Sequence, residues 1–422
     1  MATKFTRHLL AGCLAGSALA LAATPAEAAA KSRGLVVTYF WFANYQGDED
    51  CPDGAALGMR RLASPYLSRM SAKDRADLSA PGHEQKLAAV LAAFALGGTA
   101  YGGATDVRDQ MFGPTLNPEN RKKRPMGFGV TPVQDQCDHP EQFEDPPLKT
   151  GQGKVAFGLN LDGDDGSATP AANTCKHQNF VGADGSPGVD NQYYRVLACV
   201  DGYRRKASEQ SASSVSAGTM EDWFHGNRKD GATTMLIELN GVDDAMNDDE
   251  VEVAIYSSRQ ATPYDATGLK GVPSFSLTAL KPADNPHNIA RGRIKDGVLT
   301  TDPVELWVPT KPAGGEDMYY EFKDARLRLE LTPEGGAKGL MAGYFDVEKA
   351  FTMEMRSYKD TARRNSVYDG SCPAIYAAMK QMADGHPDPK TGQCTAISTA
   401  FKVEAVKAFV IHPAEQKTAQ AN

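Results

Sequence analysis

The chain has 422 residues and a formal net charge of −8, with 23% of its side chains charged and 41% hydrophobic. That length is enough for two or three domains with ample core. A moderately acidic balance argues against nucleic acid or anionic membrane as the main partner and leaves cations, neutral sugars and other proteins.

Residues 1–28 have the form of a signal peptide. Lys4 and Arg7 make a positive start, Leu9 to Ala23 is apolar, and Ala26-Glu27-Ala28 is a small-x-small cleavage site. Leu10-Ala11-Gly12-Cys13 resembles a lipoprotein box, but it stands too close to His8 to leave room for an apolar segment of ordinary length. Export to the periplasm or the medium is therefore expected. No later segment approaches the roughly 20 apolar residues of a membrane span. Cleavage removes two positive charges and one negative, so −8 becomes −9.

Beyond the leader lie Cys51, Cys137, Cys175, Cys199, Cys372 and Cys394. An even count in an oxidising compartment reads as three disulfides. Proximity pairs Cys175 with Cys199 and Cys372 with Cys394, which leaves Cys51 for Cys137. No CxxC motif is present, so thioredoxin-like chemistry is disfavoured.

Residues 29–150 read as a mixed α/β region. Gly34 to Tyr45 is β-branched and aromatic, a buried strand. Ser71 to Phe94 is helical, with a capping box and Leu87, Val90, Leu91 and Phe94 on one face. A proline-rich loop from Gly113 to Lys154 ends the region, with Cys137 pinning it. Residues 151–346 read as an antiparallel β-sandwich domain. Val253 and Ile255, Leu306 and Val308, and the run from Tyr320 to Leu331 alternate with polar residues, with a slip at Lys323-Asp324 that suits a bulge. Ser208 to Ser216 is a serine-rich surface loop. Residues 347–422 read as a disulfide-stapled helical region: a helix carries Cys372, Ile375, Tyr376, Met379 and Met382 as far as Gly385, and Thr395 to Ile411 is helical or mixed. The fold class expected is α+β, a mainly antiparallel β-sandwich core with helical segments near the N-terminus and at the C-terminus.

The densest polar stretch runs from Gly158 to Cys199. Asp162, Asp164 and Asp165 sit on one glycine-flanked turn, and Asp184, Asp190 and Asn191 sit on another. Six short oxygen-bearing side chains of this kind suit calcium, which takes 6–8 oxygen ligands. The EF-hand spacing fails, because Gly166 falls at the fifth position when counted from Asp162. The competing reading is that the aspartates cap their own turns. A second acidic run, Asn240 to Glu250, reads as a solvated hairpin loop.

The chain lacks G-x-S-x-G, S-x-x-K, H-E-x-x-H and P-loop motifs. Lys176 separates Cys175 from His177, and the disulfide expected at Cys175 removes its thiolate from metal binding. His386, between Asp384 and Asp388, has the form of a turn histidine and, secondarily, of a proton-transfer group. Trp307 and Trp223 are the candidate ligand-binding aromatics, and Trp41 is read as core. These features point to an exported, disulfide-stabilised, calcium-binding and non-catalytic protein that binds a ligand or partner, a glycan or an envelope protein, in the periplasm or at the cell surface. The alternative is an exported metal-dependent hydrolase acting on a glycan or an ester.

Overall fold

A computed structural model describes residues 31–52, 140–142, 147–167, 175, 177–200, 234–265, 268–269, 271–277, 288–310, 318–353 and 372–412. The predicted leader, the Ser71–Phe94 helix, Cys137 with most of the proline-rich loop, the serine-rich loop and Trp223 lie outside these residues.

In chain order the strands are β1 (Lys31–Phe42), β2 (Val155–Ala156), β3 (Val181–Gly182), β4 (Thr234–Val242), β5 (Asn247–Ser258), β6 (Tyr264–Asp265), β7 (Gly268–Leu269) and β8 (Ser274–Ser276). They continue as β9 (Ile289–Lys295), β10 (Val298–Thr301), β11 (Val304–Thr310), β12 (Met318–Leu331), β13 (Ala337–Asp346), β14 (Gly385–Pro387) and β15 (Cys394–Ile411). Three short α-helices are described, α1 (Gln192–Leu197), α2 (Val347–Phe351) and α3 (Cys372–Met382), together with a 3-10 turn at Pro140–Gln142.

Eight strands close into a ring. From β1 the order runs through β4, β5, β9, β10, β12, β13 and β15 and back to β1, every neighbour antiparallel. β11 pairs with the first half of β12, while β8 and β14 pair with the two ends of β15. The expected α+β sandwich is thus corrected to a mainly β fold built on a closed antiparallel barrel. The misreading began with Thr395–Ile411, which is strand and not helix. Along the first half of β15, Ile397 and Phe401 fill the barrel, while Ala396, Ser398 and Ala400 are covered from outside. Burial on both faces erases the apolar–polar alternation by which a strand is recognised. Closure also removes the edges that a sandwich would leave open.

Aromatic rings fill the interior. Phe40 stacks on Phe401 at 4.5 Å, Tyr320 on Phe345 at 5.6 Å, and Phe322 lies 4.7 Å from Phe345. An eight-stranded barrel is just wide enough for its own side chains to fill it. Tyr193, Val196 and Leu197 of α1 and Ile375 and Met379 of α3 extend the same core. Along β9 the outward positions Arg291, Arg293 and Lys295 are exposed and charged, whereas Ala290, Gly292 and Ile294 are buried. No described helix is long and apolar enough to cross a membrane.

Local expectations hold at two places. The register slips between Lys323 and Arg326, with Asp324 at φ +50°, so the predicted bulge in β12 is present. The acidic run from Asn240 joins β4 to β5 as a hairpin, in which Asp248 and Asp244 accept the backbone amides of Asp243 and Met246.

Candidate functional site

Between β1 and β4 the described residues 147–167 and 177–200 leave the barrel, part of them lying against its outer wall and α1 joining its core. Phe157, Leu159 and Leu161 cover Leu340, Ala342 and Tyr344 of β13 and Ala396 and Ala400 of β15. The segment carries its own small core of Ala156, Phe180, Val189, Tyr194 and Ala198, with β2 and β3 paired in parallel. Arg195 braces it: its guanidinium lies 4.0 Å over the Phe180 ring and donates to the carbonyl of Gly153 at 3.1 Å, while its Nε donates to Gln192 Oε1. Behind this core the fully buried Asp50 accepts the Tyr194 hydroxyl, and that hydroxyl oxygen accepts the Gln46 amide.

Two disulfides fasten the excursion, and neither is the pairing that proximity suggests. Cys199 bonds Cys51, 148 residues away, and Cys175 bonds Cys394, 219 residues away. The expected pairs Cys175–Cys199, Cys372–Cys394 and Cys51–Cys137 are all excluded, because each would reuse a sulfur already spent. Closure of the barrel sets chain distance aside: Cys394 opens β15 beside the loop carrying Cys175, at a Cα separation of 5.2 Å.

The six predicted calcium ligands divide. Asp164 and Asp165 accept the amides two residues ahead, as does Asp162 from Asp164, and Asp184 accepts both the amide and the hydroxyl of Ser186. These are turn-capping bonds. They hold the Asp165 and Asp184 carboxyls below the usual carboxylate range, the serine bonds being the main cause. Asn191 is buried and donates to the Phe157 carbonyl. Asp190 is buried too, its Oδ2 accepting the amides of Leu161 at 2.7 Å and Asp162 at 3.3 Å. Burial pushes the Asp190 carboxyl up to about 6 against the opposing pull of the Leu161 amide, and the nearby charges of Asp162 and Asp164 add to the rise. Asp162, Asp164 and Asp190 thus share one corner, while Asp165 and Asp184 serve their own turns. Among the described residues, no three His, Cys, Asp or Glu side chains form a group able to hold a metal ion.

A second buried carboxylate, which the sequence marks only as a neighbour of His386, lies at the same wall. Asp384 accepts the Ser398 amide on Oδ1 at 2.7 Å and the Ser398 hydroxyl on Oδ2 at 2.6 Å, and Ser398 Oγ in turn accepts the amide of Gln192 at 2.8 Å. Ser398 is fully buried and pairs across β13 with Tyr344. Burial pushes Asp384 up to about 7, and the charge of Asp190 contributes to the rise. Burial likewise raises Tyr344, with Asp190, Asp384 and Asp162 adding to it. His177 packs beside the pair, its Nε2 at 3.0 Å from the Ala383 carbonyl, and burial pulls its imidazole below the usual range. The proton-transfer reading of His386 finds a different carboxylate from those expected: its Nε2 lies 3.1 Å from Asp324 of β12, while Asp388 caps its own turn.

Trp307 is half-buried on the outer wall and tilted against Tyr319, with ring centroids 6.0 Å apart. The buried Asn288 holds its backbone at both ends, accepting from the Trp307 amide at 2.9 Å and donating to its carbonyl at 2.8 Å. Trp41 is buried, as expected. Comparisons with protein-family models, curated proteins and solved structures find no match to this chain, so its function is argued from its geometry alone.

Proposed function

We propose that the chain is an exported, disulfide-fastened barrel that binds a glycan or an envelope protein outside the cytoplasm and catalyses no reaction. One observation carries this reading: among the described residues, the carboxylates whose titration burial shifts most are consumed in fastening the excursion. Both oxygens of Asp384 are taken by Ser398, Ser398 is sealed from solvent, and Asp190 is bonded to backbone amides. A nucleophile or general acid must reach a bound substrate, and these groups face inward. The two disulfides suit an oxidising compartment. Trp307, its backbone clamped by Asn288, is the residue we assign to the ligand.

The test combines location, turnover and binding. The protein from its native host is expected in the periplasmic or culture fraction, beginning near Ala29 and without free thiols. Envelope glycan fragments are expected to change the tryptophan fluorescence of the wild type and not of Trp307→Ala, with no hydrolysis. Cytosolic retention with reduced cysteines, or hydrolysis that disappears in Asp384→Asn, would overturn the proposal.

A further inference from the structure

The barrel seam has a gap. Along the edge of β15 that faces β1, Ala396 O accepts the Asp384 amide and Ala400 O accepts the Ala43 amide. Between them β14 has ended and β1 has not begun, since their pairings reach only to Ala396 and Phe401. The Ser398 amide therefore has no strand to bond, and the Asp384 carboxylate takes the missing carbonyl's place. A buried backbone donor must find an acceptor, so this side chain completes the seam. Through Ser398 Oγ the same carboxylate also reaches the first residue of α1, the helix that extends the barrel core.

The surroundings of Asp384 hold no compensating cation in the bonds it makes. Asp190 faces it from the segment before α1, Tyr344 from β13 and Ser398 from β15, and His386 lies two residues along its own chain, paired with Asp324. His177, bonded to the neighbouring Ala383 carbonyl, is held toward its neutral form by burial. A charge enclosed in this way costs free energy that an uncharged carboxyl does not.

We infer that Asp384 is a protonation-controlled clasp: uncharged, it locks β14, β15 and α1 together at the seam, and ionised, it loosens them. Its carboxyl titrates near 7 when enclosed and returns toward 3.8 when released. A raised folded-state value means that the stabilisation is fully present below about 4 and is lost as the pH climbs through about 7. The clasp thus opens toward neutral and alkaline pH and closes in acid.

Hydrogen exchange of the mature, oxidised protein tests this. After division by the intrinsic exchange rate, wild-type opening of the segments 190–198 and 396–400 is expected to rise roughly tenfold or more between pH 5 and pH 7. Asp190 titrates in the same direction, so the deciding comparison is made in an Asp190→Asn background. The rise should persist there, and adding Asp384→Asn, which keeps an acceptor for the Ser398 amide and cannot ionise, should flatten it. A flat profile in the Asp190→Asn protein overturns the inference. So does a slope that survives Asp384→Asn in that background, because the titrating group is then another one. Where the double variant folds poorly, the Asp190→Asn profile still decides the matter, and neither result bears on whether the chain binds a glycan.

Discussion

Cys175 and Cys394 are joined although 219 residues separate them, and the bond ties the acidic excursion to the first residue of the longest strand. Together with Cys51–Cys199 it leaves Cys137 and Cys372 as the two unassigned cysteines beyond the predicted leader. Cys137 precedes by three residues the turn at Pro140–Gln142, which packs against α3, the helix that Cys372 begins. Peptide mapping without reduction should recover Cys51–Cys199, Cys175–Cys394 and Cys137–Cys372. A Cys372–Cys394 peptide would contradict the fold. A Cys175→Ser, Cys394→Ser double variant should lose about 2–4 kcal/mol in denaturant unfolding.

Phe401 lies within 6.0 Å, centroid to centroid, of Phe40, Phe42, Tyr320, Phe322 and Phe345. Replacing it with alanine empties the centre of the barrel and should cost about 3–5 kcal/mol. Lys402→Ala, on the outer face beside Phe157, should cost under about 1 kcal/mol despite being the next residue. Equal losses at the two positions would contradict the inward and outward assignment of β15.

Asp190 supplies a second pH dependence of the same sign. Its folded-state value is raised from 3.8 to about 6, so its contribution is complete below about pH 4 and falls away as the pH rises through 6. The difference amounts to at most about 3 kcal/mol. Asp190→Asn should therefore be relatively more stable than wild type at pH 8 than at pH 4, measured by urea unfolding at both. A wild type that gains stability across this interval relative to the variant would reverse the sign and refute it.

Gly188 sits at φ +72°, and a Cβ there would stand 2.2 Å from the Asp164 carbonyl and 2.7 Å from Asn160 Nδ2. Gly188→Ala should destabilise by about 1–3 kcal/mol and increase proteolytic cleavage between Asp162 and Ser167. Gly163, also left-handed at φ +82° but facing open space, bears only the backbone cost, so Gly163→Ala should be the milder change.

The calcium expectation is open to a direct melt. Oδ1 of Asp162, Asp164, Asp165 and Asp184 is engaged by turn amides. We expect EDTA, calcium and zinc each to shift the melting temperature by less than a few degrees. One native-state site at a hundredfold excess over its dissociation constant would add about 2.7 kcal/mol. A rise of that size specific to calcium, and lost in an Asp162→Ala, Asp190→Ala double variant, would place the ion in the corner those two residues share.

Strands with one wet face were legible in the sequence. Leu327 and Leu329 of β12 alternate with charges as a half-buried strand does, and even the bulge at Asp324 left its mark, whereas Ala254, between Val253 and Ile255 of β5, is itself buried. The closure was not legible, because β1 meets β15 through pairings that leave no local trace. The same cause hid the disulfides: proximity in sequence favoured Cys175–Cys199, whereas the ring brings Cys175 to Cys394. Asp190 was visible as one acid among several, but its burial under Leu161 was not. Asp384 was visible only as a neighbour of His386, because its partner, Ser398, lies in the strand read as helical or mixed.

The seam between β1 and β15 also sets the order of assembly. Thr38 bonds to the carbonyl of Glu404, 366 residues further along. β1 precedes every other described strand, yet one of its edges waits for β4, past the middle of the chain, and the other for β15, about 360 residues on. Pairings of such separation form slowly and leave aggregation-prone surface exposed in the interval. Truncations that remove β15 should therefore yield an insoluble chain and not a smaller barrel, and helpers that shield β1 during synthesis should raise the yield more than any added stability of the finished ring.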